Sequence, residues 1–137
     1  MARQILVIDD DPVTGELIQE ALRSADIASL VISDSALAVN QIRSEKFDAI
    51  FLDINMPKPD GIQVTQEIRS GGVNVTTPIM IISGENERAL LRRAFEAGAN
   101  FFLYKPIDRH AILRLVRTAE GYIERERQRS GGMKIAT

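Results

Sequence analysis

The 137-residue chain fits one domain, long enough to bury a core without disulfides or a structural metal. Hydrophobic residues make up 45% and charged residues 26%, as in an ordinary globular protein, and 17 basic against 19 acidic side chains leave a net charge of -2, which gives no electrostatic argument for binding nucleic acid or a membrane. The lack of cysteine excludes disulfide frameworks, thiol catalysis and Cys-ligated zinc, and the single histidine, His110, excludes a His-rich metal site.

The first apolar run, Ile5 to Ile8, is too short for a signal peptide and leads straight into Asp9. No run approaches the ~18 apolar residues of a membrane span, so a cytoplasmic location is expected. Residues 4–8 read as a buried strand, followed by Asp9, Asp10 and Asp11. Asp11 then caps a helix over 12–25 that starts at Pro12 and carries Val13, Leu17, Ala21 and Leu22 on its apolar face. Residues 28–32 form a second strand and Ser35–Ser44 a helix through Leu37, Val39 and Ile42.

Residues 47–52 give the most continuously apolar strand, which delivers Asp53 to a stop made by Asn55 and Pro57. A helix over Gly61–Ser70 presents Ile62, Val64 and Ile68, and residues 70–77 form a polar loop. Pro78–Ile82 is the fourth strand, ending at Ser83-Gly84, and Asn86–Ala97 is a helix closed by Gly98. Phe101–Tyr104 is the fifth strand, ending at Lys105-Pro106. Asp108 caps a last helix through Ile112, Leu115, Val116, Ala119 and Ile123. The charged run 124–129 should project into solvent, and Ser130-Gly131-Gly132 should break the helix. Residues 1–124 therefore read as the domain, and 125–137 as a projecting helix end with a flexible tail or linker stub.

Five strands alternating with five helices imply an α/β fold with a doubly wound parallel sheet covered on both faces. In such sheets ligands bind at the carboxyl ends of the strands. Four of these ends carry Asp9-Asp10, Asp53, Ser83 and Lys105, while the strand bodies hold almost no charge. Three converging carboxylates at ~4 Å and an effective dielectric of ~20 would repel by ~4 kcal/mol per pair, so they need a cation. Oxygen donors without His or Cys select magnesium, with manganese or calcium as substitutes. A strand-tip carboxylate can be a covalent nucleophile toward a phosphoryl group, whose charge the metal and Lys105 would offset while Ser83 donates a hydrogen bond.

Ile8-Asp9-Asp10-Asp11-Pro12, Asp53-Ile-Asn-Met-Pro57 with Asp60-Gly61, Ile81-Ile82-Ser83-Gly84, and Lys105-Pro106 together resemble the response-regulator receiver domain of two-component signalling. The resemblance spans roughly residues 3–124. It implies a flavodoxin-like, chemotaxis-regulator-like sheet of strand order 2-1-3-4-5. Asp53 would accept a phosphoryl group from a histidine kinase or phosphotransfer protein. Asp10, Asp53 and the Asn55 carbonyl would bind magnesium directly, and Asp9 through water. Lys105 would pair with the phosphoryl group across a cis Lys105-Pro106 bond. Ser83 and Phe102 would form the switch that alters the surface of the fourth helix, fifth strand and fifth helix, read by a downstream protein or by an output domain of the same protein. Pro59, where the family often has another apolar residue, and Phe102 in place of Tyr depart from the pattern without touching the chemistry.

The rival readings are weaker. Phe101 reads as core and His110 as a surface residue. An aspartyl-nucleophile phosphatase typically carries a second Asp two residues after the nucleophile, where this chain has Asn55, so a phosphorylated switch is favoured over a turnover enzyme. A dinucleotide-binding module would need a glycine-rich first turn in place of Asp-Asp-Asp-Pro. A receiver used only as an unphosphorylated scaffold is unsupported, because every site residue is present.

Overall fold

Short runs rich in Ile, Val and Leu form five parallel strands: β1 (Gln4–Ile8), β2 (Ala28–Ile32), β3 (Ala49–Asp53), β4 (Ile79–Ser83) and β5 (Phe101–Tyr104). They alternate with α1 (Pro12–Arg23), α2 (Ser35–Ser44), α3 (Gly61–Ser70), α4 (Arg88–Ala97) and α5 (Arg109–Ala136), and a 3-10 turn, Glu85–Glu87, precedes α4. The computed structural model describes residues 4–136, with the side chains of Glu85 and of several residues beyond 125 outside that description. The sheet order is β2-β1-β3-β4-β5, as expected from the resemblance.

Strand side chains alternate between faces, and the two faces feed two cores. Leu6, Ile8, Ile50, Leu52, Ile79 and Ile81 pack with Ala38, Ile42, Ile62, Val64, Ile68, Leu91 and Ala94 of α2, α3 and α4. Ile5, Val7, Phe51, Met80 and Ile82 pack with Ile18, Ala21, Leu22, Ile112, Val116 and Ala119 of α1 and α5. β3 and β4, buried along their whole length, lie inside the sheet, whereas β2 and β5 are half-exposed edges.

Some details differ from the sequence reading. Val13 is 72% exposed and Leu17 also faces solvent, while Ile18 takes the buried place on α1. Helical spacing allows both stripes, and the sheet selects the one through Ile18, Ala21 and Leu22. Leu37 is likewise exposed, and Ala38 is its buried neighbour on α2. α5 continues through Ser130-Gly131-Gly132, where a break is predicted, and takes up most of the expected flexible tail. A glycine costs about 1 kcal/mol in a helix relative to alanine but, unlike proline, keeps its N–H in the ladder. Among the described residues no helix is long and apolar enough to cross a membrane.

Candidate functional site

Each site residue stands where an apolar strand runs out. Asp53 and Ser83 are the last residues of β3 and β4, Asp9 and Asp10 follow β1, and Lys105 follows β5. Backbone bonds extend the sheet past its ladder and fix these ends: Asp9 N–H donates to Ile32 at 3.3 Å, Ile54 N–H to Ile82 at 3.0 Å, and Lys105 N–H to Ser83 at 2.7 Å. β1 has β2 on one side and β3 on the other, so the acids of β1 and β3 meet where the strand order reverses. Behind Asp53 the chain returns tightly. A Cβ at Gly61 would lie 2.6 Å from the Asp53 carbonyl oxygen and 2.6 Å from Ile54 Cα, so only glycine lets α3 start against the β3 tip.

One carboxylate oxygen from each of Asp9, Asp10 and Asp53 lies within 4.8 Å of the other two. Asp9 and Asp53 are buried and Asp10 is exposed. Lys105 Nζ stands 3.5 Å from Asp53 Oδ1, and Asn55 N–H donates to the same oxygen at 3.3 Å. Asp9 Oδ1 accepts from Asp11 N–H at 2.9 Å, but Asp9 Oδ2 is buried and has no hydrogen-bond partner among the described residues.

Burial pushes the Asp53 carboxyl up to about 7, and the nearby Asp9 charge adds to this, while Lys105 and Asn55 N–H pull less strongly the other way. Burial also raises Asp9, against the Asp11 N–H bond and the Lys105 charge. Two buried carboxylates, an unpartnered oxygen and a third acid at the rim make an oxygen-only donor set short of positive charge. A hard divalent cation such as magnesium fits that set.

The remaining candidates fall around this cluster. Ser83 is buried, and its hydroxyl donates to the Gly84 carbonyl at 3.0 Å. Lys105-Pro106 is cis, as the resemblance implies, and so is Lys58-Pro59, which the sequence did not indicate. Phe102 is 40% exposed and packs edge-on against Phe95 and Tyr104 on the α4 side of β5, with ring centres 6.0 and 5.0 Å away. Asp11 caps α1 through Val13 N–H at 3.0 Å, and His110 is exposed in the first turn of α5. Sequence reasoning missed Glu87, whose Oε1 accepts from Gly84 N–H at 2.7 Å. The signal for it was the Gly84-x-x-Glu87 spacing of a capping box.

Residues 5–117 match the family described as the response regulator receiver domain. The chain belongs to the response-regulator receiver family. It is a phosphorylation-activated switch domain of two-component signalling, a signalling domain rather than a classical enzyme. The chain is similar to the response regulator MprA of Mycobacterium bovis, with 30% identity over 117 residues that cover 85% of this chain and 50% of that protein. It is also similar to the hybrid signal transduction histidine kinase L of Dictyostelium discoideum, with 31% identity over 83% of this chain and 7% of that protein. This receiver therefore spans about half of one relative and a small part of the other. Among solved structures, the receiver domain of the sensor histidine kinase PA1611 of Pseudomonas aeruginosa, which has a magnesium ion coordinated in its active site cleft, matches with a TM-score of 0.80 and 28% identity over 88% of this chain and 99% of that one. The chemotaxis response regulator CheY4 of Vibrio cholerae shares the fold, with a TM-score of 0.81 and 22% identity over 87% and 99% of the two chains.

Proposed function

We propose that Asp53 is the phosphoacceptor of this receiver. The observation that carries the reading is a buried strand-tip carboxylate with Lys105 Nζ at 3.5 Å and two further acids within 4.8 Å. An Asp53 oxygen attacks the phosphorus of a phosphohistidine on a kinase or phosphotransfer protein. The P–N bond breaks, and the imidazole nitrogen keeps its electron pair and takes a proton. Magnesium would be held by Asp10, Asp53 and the Asn55 carbonyl, with Asp9 through water, and would supply positive charge for the transferring oxygens. Lys105 offsets part of the new negative charge from the other side. Ser83 turns its hydroxyl from the Gly84 carbonyl to a phosphoryl oxygen, and Phe102 follows it inward, which changes the face built by α4, β5 and α5.

The partners are a histidine kinase or phosphotransfer protein upstream, and downstream a protein or an output domain of the same protein. The setting is cytoplasmic. The working unit is residues 1–124, with 125–137 as its extension. The Asn55 side chain is exposed beside the site, where a phosphatase would carry its acid-base carboxylate.

Incubation with a small-molecule phosphodonor such as acetyl phosphate tests the assignment by intact mass. A gain of one phosphoryl group that needs magnesium and is lost in Asp53→Asn is expected. Equal labelling of the Asn variant would sink it.

A further inference from the structure

The end of β4 offers two hydrogen-bond donors just past Ile82, the sheet partner of Asp53, and both are already engaged. Asp53 and Ile82 are paired in the sheet, so Ser83 and Gly84 follow at the edge where the acids lie. The Ser83 hydroxyl donates to the Gly84 carbonyl at 3.0 Å. That carbonyl also accepts from Glu87 N–H at 3.0 Å, and Gly84 N–H donates to Glu87 Oε1 at 2.7 Å. The ring is closed by a carboxylate bonded to a backbone amide, which is the charge-assisted and stronger kind of hydrogen bond. It is also closely packed, since a Cβ on Gly84 would lie 2.9 Å from Asn86 Oδ1 and 3.3 Å from Glu87 Oε1.

We propose that Glu87 is a positioning residue whose carboxylate competes with the phosphoryl group for Gly84 N–H at the end of β4 and so sets the threshold of the switch. The inference rests on the reading of Asp53 as phosphoacceptor. A phosphoryl group on Asp53 is an anion in search of donors, and Glu87 is an anion that already holds one of them. The Ser83 hydroxyl can turn away from the Gly84 carbonyl by itself, but bringing Gly84 N–H onto a phosphoryl oxygen requires the Glu87 carboxylate to leave, and repulsion between the two anions favours that exit. Glu87 ends the 3-10 turn that leads directly into α4, and α4 carries Phe95, the ring packed on Phe102. Release of the Glu87 bond therefore loosens the start of the helix whose face changes on switching.

The test uses beryllofluoride with magnesium as the phosphoryl analogue, and magnesium alone as the control ligand. Glu87→Ala is expected to bind beryllofluoride about tenfold more tightly than the wild type, while its affinity for magnesium alone stays within about twofold. Glu87→Gln, which keeps a neutral acceptor for Gly84 N–H, is expected to fall between them. A simple loss of order in the turn would weaken both ligands together. Unchanged or weaker beryllofluoride binding by Glu87→Ala, with wild-type binding intact, overturns the role of Glu87 and leaves the Asp53 reading standing. A wild-type chain that takes up no beryllofluoride overturns both. If Glu87→Ala fails to fold, the wild type still decides the matter by NMR. Its Gly84 amide and Glu87 carboxyl signals must move on saturation with beryllofluoride, and signals that stay in place overturn the proposal.

Discussion

At the N-terminal edge of the sheet a network of buried polar groups is matched partner for partner, whereas at the C-terminal edge buried carboxylates face one another with too few donors. Asn74, fully buried in the loop after α3, donates to the Ile42 and Glu45 carbonyls at 2.7 Å each and accepts from Phe47 N–H and the Thr77 hydroxyl at 2.9 Å each. Beside it Arg69 donates to the carbonyls of Gly98, Val75 and Thr77 at 3.0, 3.0 and 2.8 Å and to Asn100 Oδ1 at 2.8 Å. Asn100 in turn accepts from Ile79 N–H at 2.8 Å. These bonds tie the loops entering β3, β4 and β5 to one another. The opposite edge has the Asp9 oxygen without a partner among the described residues and the raised Asp53. The difference teaches that one end of this sheet is built for stability, and the other keeps a shortage of positive charge that a cation and a phosphoryl group can use.

The contrast breaks most visibly at Asn74. Asn74→Ala removes four hydrogen bonds and leaves the buried Ile42 carbonyl and Phe47 N–H without partners. An expected loss of about 3–4 kcal/mol in urea unfolding follows, among the larger effects of a single substitution. The folded fraction should still label at Asp53. A loss below about 1 kcal/mol would mean that the network is not what holds this edge.

At the other edge a substitution should stabilise. The folded-state value of Asp53, about 7, lies above its ordinary carboxylate range near 3.8. Below that range the group is protonated whether folded or not, and nothing is lost. As pH rises from about 4 to about 7 the unfolded chain ionises first, so stability falls, and above 7 the whole penalty is present. Asp53→Asn without metal should therefore gain about 2–4 kcal/mol at pH 8 and close to nothing at pH 4. A gain of equal size at both values would show that charge is not its source.

Magnesium sharpens the same point with a smaller effect. A cation bound only by the folded state at ten times its dissociation constant adds about 1.4 kcal/mol. The wild type should gain this at pH 8, and Asp53→Asn should gain clearly less because one of its anionic ligands is gone. Equal gains in denaturant midpoint would place the cation elsewhere.

How far the sequence could be read follows the same division. The acids, Ser83 and Lys105 were legible because each interrupts an apolar run, and strand ends of a doubly wound sheet converge by topology alone. The starts of α1 and α5 followed from the caps Asp11 and Asp108, whose side chains accept from Val13 N–H and Ala111 N–H. The Asn74 and Arg69 network was not legible. Its partners are mostly backbone carbonyls, which every residue has, and residues 70–77 carry no pattern beyond that of a polar loop. Glu87 was missed because Gly84 has no side chain, so the Gly84-x-x-Glu87 spacing lacks the Ser or Thr that marks a capping box.

The stripe chosen for α1 is another error, and it yields the smallest predicted effect. Val13 sits at the open end of the helix with 72% of its surface exposed, and its part in the Asp11 cap is played by its backbone N–H. Valine and serine differ little in helix propensity, and an exposed side chain loses almost no buried area when replaced. Val13→Ser should thus change stability by no more than about 0.5 kcal/mol. Ile18→Ser, five residues along and fully buried, should cost several times more because it opens a cavity and buries a hydroxyl. Paired urea titrations of the two variants compare the stripes directly. If Val13→Ser proved the more damaging, α1 would have to face the sheet through Val13 and Leu17, and the core described between α1, α5 and the sheet could not stand.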